Sequence, residues 1–246
     1  MADPRFYSSQ PLPRPPASDI TCDVTEEIAR HIQVLRMDVD DRVTLFDGLG
    51  GEWAAVITGL TKRAASLRLM KFDPVEREST LDITLVQALA TADKMDLIVQ
   101  KAVELGIAAI QPVATERTTL KLAGDRAQKR IMHWQAIAQA ACEQCGRNRV
   151  PQVAEVVTLE AWLTMPVDGV RLILHPQARQ SLVESVDAAQ RLYILVGPEG
   201  GFSEQEIALA LSRGAKPVRF GPRVLRAETA ALAAIAGLNA VHGDLQ

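Results

Sequence analysis

The chain has 246 residues, a formal net charge of −3, 48% apolar and 23% charged residues. That length accommodates one large or two modest domains, and the balance excludes a fibrous or disordered chain. No apolar run approaches a bilayer span, the start "MADPRFYSSQPLPRPP" lacks the apolar stretch of a secretory leader, and three cysteines do not make a disulfide framework, so a cytoplasmic protein with no membrane partner is expected. The slight acidity does not advertise nucleic acid, although a local basic face is enough to bind one.

From the N-terminus to about residue 72 the chain reads as short strands around one helix. Thr25 is a good N-cap for a helix that carries Ile28, Ile32 and Leu35 on one face. "DRVTLFDGLGGEWAAVITGL" places two apolar runs about a Gly-rich turn at Asp47–Gly51, a hairpin pattern. "AASLRLMKF" alternates Leu67, Leu69 and, less cleanly, Phe72 against Arg68 and Lys71, as a half-buried strand does. A small β-barrel with one helix fits this segment. The polar, Pro-containing "DPVERES", residues 73–79, reads as a linker.

Beyond it the rhythm becomes strand, helix, strand, helix. Strands are expected at Ile83–Leu89, Ala108–Val113, Val153–Val157, Val170–Leu174, Leu192–Val196 and Pro217–Phe220. Helices are expected at Met95–Leu105, Arg126–Cys145, Leu159–Leu163, Leu182–Ala189, Glu204–Ser212 and Glu228–Val241. Continuous apolar strands alternating with helices predict an α/β domain with a mostly parallel sheet covered on both faces.

The chemistry concentrates in "RLYILVGPEGGFSEQEIALALSRG". Leu192–Val196 has the character of a buried central strand, Ser203 and Glu206 form an S-x-x-E capping box, and Gly214 stands at the C′ position of the helix. The loop between them lies at the C-terminal edge of a parallel strand, where open α/β sheets bind ligands. "GPEGGF" matches neither the dinucleotide fingerprint nor the P-loop, and no Lys or Arg is expected to stand ready to meet a pyrophosphate. Glu199 would repel phosphate, while the glycines bring backbone amides and carbonyls close and Pro198 stiffens the bend. Such a turn suits a ligand with positive charge and hydrogen-bonding edges. By itself it is equally compatible with a tight connection that holds nothing.

"FGPRVLRAETAALAAIAGLNA" repeats the arrangement, with Arg226 and Glu228 at the start of a nearly uncharged helix whose alanines establish only close packing. In "CEQCGRNRVP" Cys142 and Cys145 form C-x-x-C, but a four-ligand zinc site needs more, and a redox pair belongs at a helix start rather than its end. They are read as packing residues, with Gly146 as the C-cap, and no metal is expected.

"LVGPEGGFSEQEI" and "VLRAETAALAAI", with "RFY", "HIQVLRM…DRVTLFDG", "DKMDLIVQKAVELGI", "EQCGRNRVP" and "LHP" in order along nearly the whole chain, resemble the SPOUT methyltransferases, in particular the ribosomal RNA small-subunit uridine-N3 methyltransferases. The resemblance implies a PUA-like RNA-binding β-barrel over 1–72, the linker 73–79, and a methyltransferase domain over 80–246 with a deep trefoil knot at about 191–240. It implies S-adenosylmethionine as cofactor, 16S rRNA of the small ribosomal subunit as substrate, methylation at N3 of a uridine, and a homodimer. Carried over by motif, Leu195, Gly197, Pro198, Glu199, Gly200 and Gly201 form one wall of the cofactor site. Phe220, Gly221, Leu225, Thr229 and Ala230 form another, and Leu174 and His175 a third.

Methyl transfer to N3 requires that a weakly acidic nitrogen lose its proton, so the site should stabilise the uracil anion and hold it in line. A charged arginine cannot take that proton but can stabilise the anion. Arg226 and Arg147 are the candidates, with Glu228 positioning a partner or accepting a proton. RNA contacts are expected from Arg63, Arg68 and Lys71, from Arg5 and Arg36 of "RFY" and "VLR", and from Asn148 and Arg149 after the Gly146 cap. A further basic run, Arg117, Lys121, Arg126, Lys129 and Arg130, fits a solvated helix face as well as it fits RNA. Two alternatives stand beside this reading: a relative that methylates a ribose 2′-O or guanine N1, and a non-catalytic RNA-binding or ribosome-assembly protein. The barrel and "EQCGRNR" argue against the first, the intact glycine and "LRAET" motifs against the second.

Overall fold

Alternation and turn chemistry build the N-terminal half much as the sequence foretells. The computed structural model describes residues 3–15, 20–120, 122, 124–186 and 191–245. Its first elements are β1 (Arg5–Tyr7), β2 (Ile20–Asp23), α1 (Glu26–Val34), β3 (Arg42–Phe46), β4 (Glu52–Leu60) and β5 (Ala65–Asp73). The strands form one sheet in the order β1-β3-β4-β5-β2, antiparallel except for β1 on β3. Among the described residues β1 and β2 are its edges, and no hydrogen-bonded pair closes the ladder.

The inward residues Phe6, Val43, Leu45, Trp53, Ile57, Leu67 and Leu69 pack with Ile28, Ala29 and Ile32 of α1. Thr25 caps α1 through its side-chain oxygen, as expected. Leu35 does not join the buried face. The helix ends at Val34, Leu35 becomes its C-cap and is 46% exposed, and Arg36 turns the chain away at φ +58°. Phe72 departs from the alternation because the β4–β5 register shifts at Ala54/Ala55, which leaves it opposite Trp53 with ring centroids 5.4 Å apart.

The second half comprises β6 (Ile83–Ala88), α2 (Ala92–Glu104), β7 (Ala109–Ala114), α3 (Gly124–Cys145), β8 (Gln152–Val153), β9 (Val157–Thr158), α4 (Leu159–Thr164), β10 (Val170–Leu174), β11 (Gln180–Ser181), β12 (Leu192–Val196), α5 (Glu204–Ser212), β13 (Lys216–Arg219) and α6 (Ala227–His242). Every strand pair is parallel, in the order β11-β13-β10-β12-β6-β7-β8, with β9 also on β7. Burial on both faces explains why these strands read as unbroken apolar runs. The expected strand Val153–Val157 is two short pieces, β8 and β9. Of the expected helix Leu182–Ala189, the described part is a single 3₁₀ turn, Val183–Ser185, and residues 187–189 lie outside the described residues, as does Lys121.

The chain divides into two units: Met1–Glu78 with Cys142–Val150, and Ser79–Ala141 with Pro151–Gln246. Side chains rather than periodicity set this division. In the first unit Glu76 accepts from the Gly51 N–H, Arg77 donates to Glu52 and to the Gly146 carbonyl, and Glu78 pairs with Arg147. The stretch read as a linker is therefore pinned to the first unit up to Glu78. The last turn of α3 and the loop after it, placed by sequence in the C-terminal domain, join the N-terminal unit for the same reason. There the Tyr7 N–H donates to Glu143 at 2.8 Å, and the fully buried Asn148 accepts from Arg5 at 2.7 Å and donates to the Val75 carbonyl at 2.8 Å.

Candidate active site

The C-terminal end of β12 opens onto the glycine turn. The Gly201 N–H donates to the Pro198 carbonyl at 2.8 Å, and Gly201 sits at φ +67°, a conformation that costs an ordinary residue about 1 kcal/mol or more. The turn delivers the chain to α5, whose capping box is formed in full: Ser203 Oγ accepts from the Glu206 N–H and Glu206 accepts from the Ser203 N–H. At the other end, the N–H groups of Gly214 and Ala215 return to the Leu211 and Ala210 carbonyls, a Schellman closure.

Beside this turn lie the ends of β10 and β13 and the start of α6, and together they enclose a cavity of about 500 Å³. Of the residues expected to hold a cofactor, Leu174, His175, Gly197, Pro198, Glu199, Gly200, Gly201, Phe220, Gly221, Leu225 and Ala230 line it, and so does Arg226. Three expected neighbours do not. Leu195 is fully buried on the core side of β12, where strand alternation turns its side chain away from the neighbouring lining residue Val196. Thr229 is exposed on the outer side of α6, and Glu228 stands behind the lining.

Lys94, in the first turn of α2, organises the acids. Its Nζ lies 3.1 Å from Glu199 Oε1 and 3.7 Å from Glu228 Oε2, which has no hydrogen-bond partner of its own. Glu199 also accepts from the Thr91 N–H at 3.2 Å, so its carboxylate braces the turn against the start of α2. Burial alone would raise the Glu199 carboxyl, but hydrogen bonds from its own and the Thr91 backbone and from Lys94 outweigh burial and hold it below the ordinary carboxylate range. Arg117 donates to the Gly200 carbonyl at 3.0 Å and to that of Phe202 at 3.5 Å.

The sequence reading found no basic residue beside the turn, and the structure corrects this. Lys94, Arg117, Arg219, Arg223 and Arg226 all line the cavity. The signal for the first two was topological: each follows the C-terminal end of a parallel strand, β6 or β7, on the edge where β12 ends.

Several other candidates lie in the first unit. Arg147 is not among the lining residues. It is buried at 5% exposure and paired with Glu78. Arg5 pairs with Glu52, donates to Asn148 and stacks on Phe46 at 4.8 Å, and is thus an internal group. Asn148 is fully buried. Arg149 is half exposed beside Glu76 at 3.5 Å. Arg36, Arg63, Arg68 and Lys71 are exposed, as an RNA-facing surface requires. Burial pushes the Cys142 thiol up to about 12, which leaves it protonated and without nucleophilic or redox character. Among the described residues no group of three or more His, Cys, Asp or Glu side chains is gathered as metal ligands would be.

The fold and the cavity define a class of protein, an RNA methyltransferase carrying a PUA unit. Residues 77–239 match the family described as RNA methyltransferase domain, and residues 24–70 match the RNA methyltransferase PUA domain. Within that class, the chain belongs to the ribosomal RNA small subunit methyltransferase E family. It is 31% identical to the member from Buchnera aphidicola (Schizaphis graminum) over 87% of each chain. It is 33% identical to the one from Synechocystis over 91% of this chain and 74% of the relative. A crystal structure of the Neisseria gonorrhoeae ribosomal RNA small subunit methyltransferase E bound to S-adenosyl methionine superposes with a TM-score of 0.94 at 40% identity over 100% of both chains. A putative methyltransferase from Legionella pneumophila in complex with the bound cofactor SAM gives 0.91 at 35% identity, over 99% of this chain and 100% of that one.

Proposed function

We propose that the protein methylates N3 of a uridine in 16S rRNA of the small ribosomal subunit, using S-adenosylmethionine. The observation that carries the reading is that the two motif loops, Gly197–Gly201 and Phe220–Arg226, face one cavity at the C-terminal edge of a parallel sheet. Its size and lining fit the cofactor. About 500 Å³ lies in the range of small-molecule sites, with Leu174, Val196, Phe202, Ile207 and Leu225 offering apolar faces and the glycine turn offering backbone edges. The cofactor supplies an activated methyl group, so the chain has only to bind, orient and manage charge. Leu174, His175, the glycine turn and Phe220–Leu225 would hold it.

Arg226, a charged donor at the mouth of the cavity, stabilises the uracil anion as the N3 proton departs. Glu228, whose Oε2 has no hydrogen-bond partner and lies 3.7 Å from Lys94 Nζ, is the group to position a partner or accept the proton. Arg147 acts from the first unit, where it and Glu78 hold Cys142–Val150 in place, rather than at the reacting atoms. RNA contacts fall to the exposed Arg36, Arg63, Arg68, Lys71 and Arg149, while Arg5 and Asn148 position that surface from beneath.

A cytoplasmic homodimer and a trefoil knot belong to the same reading. The dimer is supported by apolar side chains exposed in and near α6, Val224 at 79% and Val241 at 52%. The knot is supported by the strand order: after β12 the chain crosses to place β13 on the far side of β10, and α6 then packs back on β6 and β12. The decisive experiment incubates small ribosomal subunits lacking the modification with the protein and methyl-labelled S-adenosylmethionine. Label should enter 16S rRNA and map by mass spectrometry to N3 of one uridine. A methyl on ribose 2′-O or guanine N1, or no transfer, overturns the reading.

A further inference from the structure

The charge around the cavity is unbalanced. Five basic side chains line it against one carboxylate, Glu199. Lys94 is matched by Glu199 and Glu228, and Arg117 is engaged with the carbonyls of the glycine turn. Arg219, Arg223 and Arg226 remain, running from the last residue of β13 to the N-cap of α6. Each is exposed, and among the described residues none of their guanidinium groups has an ion pair or hydrogen bond. Seven arginines of the first unit, Arg5, Arg14, Arg30, Arg63, Arg77, Arg147 and Arg149, each face a carboxylate, whereas its exposed Arg36, Arg42 and Arg68 have no ion pair among the described residues.

Three unmatched guanidinium groups beside the site of a cationic cofactor oppose its binding, since like charges closer than the Debye length of about 10 Å are little screened. The arrangement becomes favourable once a polyanion completes it, and the guanidinium fork is shaped for phosphate oxygens. We infer that Arg219 and Arg223, beside Arg226, form a phosphate-binding collar at the cavity mouth that grips the RNA backbone flanking the target nucleotide, so that RNA and cofactor bind synergistically.

The identity of the cofactor rests on the methyltransferase reading above. Transfer also changes the charge. The S–CH3 bond breaks, the N3–CH3 bond forms, the N3 proton leaves to solvent, and the spent cofactor, a neutral thioether at sulfur, carries one positive charge fewer. Without RNA, the collar therefore favours S-adenosylhomocysteine over S-adenosylmethionine.

The test measures binding of a short single-stranded, uridine-containing oligoribonucleotide across a salt series. It uses wild type, Arg219→Gln, Arg223→Gln, and Arg213→Gln, an exposed arginine that does not line the cavity. Each collar substitution should reduce the slope of log K against log salt by about 0.7 to 1, while the Arg213 variant keeps the wild-type slope. Calorimetry at low salt should show S-adenosylmethionine binding several-fold tighter to wild type with oligoribonucleotide than without, and tighter to the RNA-free collar variants than to RNA-free wild type. Unchanged slopes in both collar variants overturn the collar, and cofactor affinity indifferent to RNA overturns the synergy. Label transfer by wild type to small subunits is scored alongside. Transfer with unchanged slopes sinks the collar alone, whereas absent transfer sinks the enzymatic reading and leaves the RNA slopes to judge the collar separately.

Discussion

Gly237 illustrates how much of the site depends on single atoms. It lies inside α6, where alanine would ordinarily gain about 1 kcal/mol, yet a Cβ there would stand 2.6 Å from Phe220 Cζ and 2.7 Å from Cε2. Phe220 is a cavity wall, so Gly237→Ala should push the ring inward at an overpacking cost of roughly 1–3 kcal/mol. We expect S-adenosylmethionine affinity to fall about tenfold, equivalent to about 1.4 kcal/mol, in calorimetry. An unchanged affinity would mean the ring yields without moving the wall. Arg226→Ala should behave oppositely, leaving cofactor binding unweakened while turnover on small subunits falls about a hundredfold or more. Full activity of that variant would remove Arg226 from the chemistry.

Elements are joined by buried polar groups whose loss should be measurable. Asn239 of α6 is fully buried, accepts from Ser79 Oγ at 2.6 Å and donates to the Leu105 carbonyl at 2.8 Å, tying α6 to the end of α2 and the approach to β6. Asn239→Leu strands both partners and should cost about 2–4 kcal/mol in urea unfolding with little change in m. In the first unit two carboxylates should give opposite pH dependences. Glu52 would be raised by burial, but hydrogen bonds from Arg77 and Arg5 outweigh this and hold it below its ordinary 4.5. Its contribution is present above the ordinary value and lost as pH falls through the folded one. Burial raises Glu143 above its ordinary 4.5 despite the Tyr7 N–H and His31, so its contribution is present below that value and lost as pH rises. Glu143→Gln should flatten the fall in stability on the alkaline side of 4.5 and leave the acid side intact. Urea midpoints measured from pH 4 to 8 check the sign.

For the whole molecule, the position of Cys142–Val150 has consequences that a domain boundary read from sequence misses. A fragment spanning residues 79–246 would carry this segment without the Arg5, Val75 and Glu78 groups that satisfy Arg147 and Asn148. In that fragment its amides should exchange within seconds, against strong protection in the intact chain, as hydrogen exchange would register. Slow exchange in the fragment would show that the segment is ordered without the first unit.

The sequence by itself determined the local grammar. β12, α5 with its capping box and Schellman end, α6, the N-terminal hairpin and the two motif loops are each set by neighbours a few residues away, and periodicity and cap chemistry report such neighbours faithfully. Burial and cap geometry likewise agree with the reading of Cys142 and Gly146 as packing and capping residues. Tertiary structure decided what depends on pairs distant in sequence. It made Glu199, which lines the cavity, also a brace of the turn, because Thr91 and Lys94 reach it from the start of α2. It turned Leu195 into the core and Arg147, Arg5 and Asn148 into internal groups. It brought Lys94 and Arg117 to a turn that carries no basic residue of its own. A parallel sheet gathers the ends of non-consecutive strands on one edge, and the order of those strands, β10-β12-β6-β7, leaves no periodic trace in the chain.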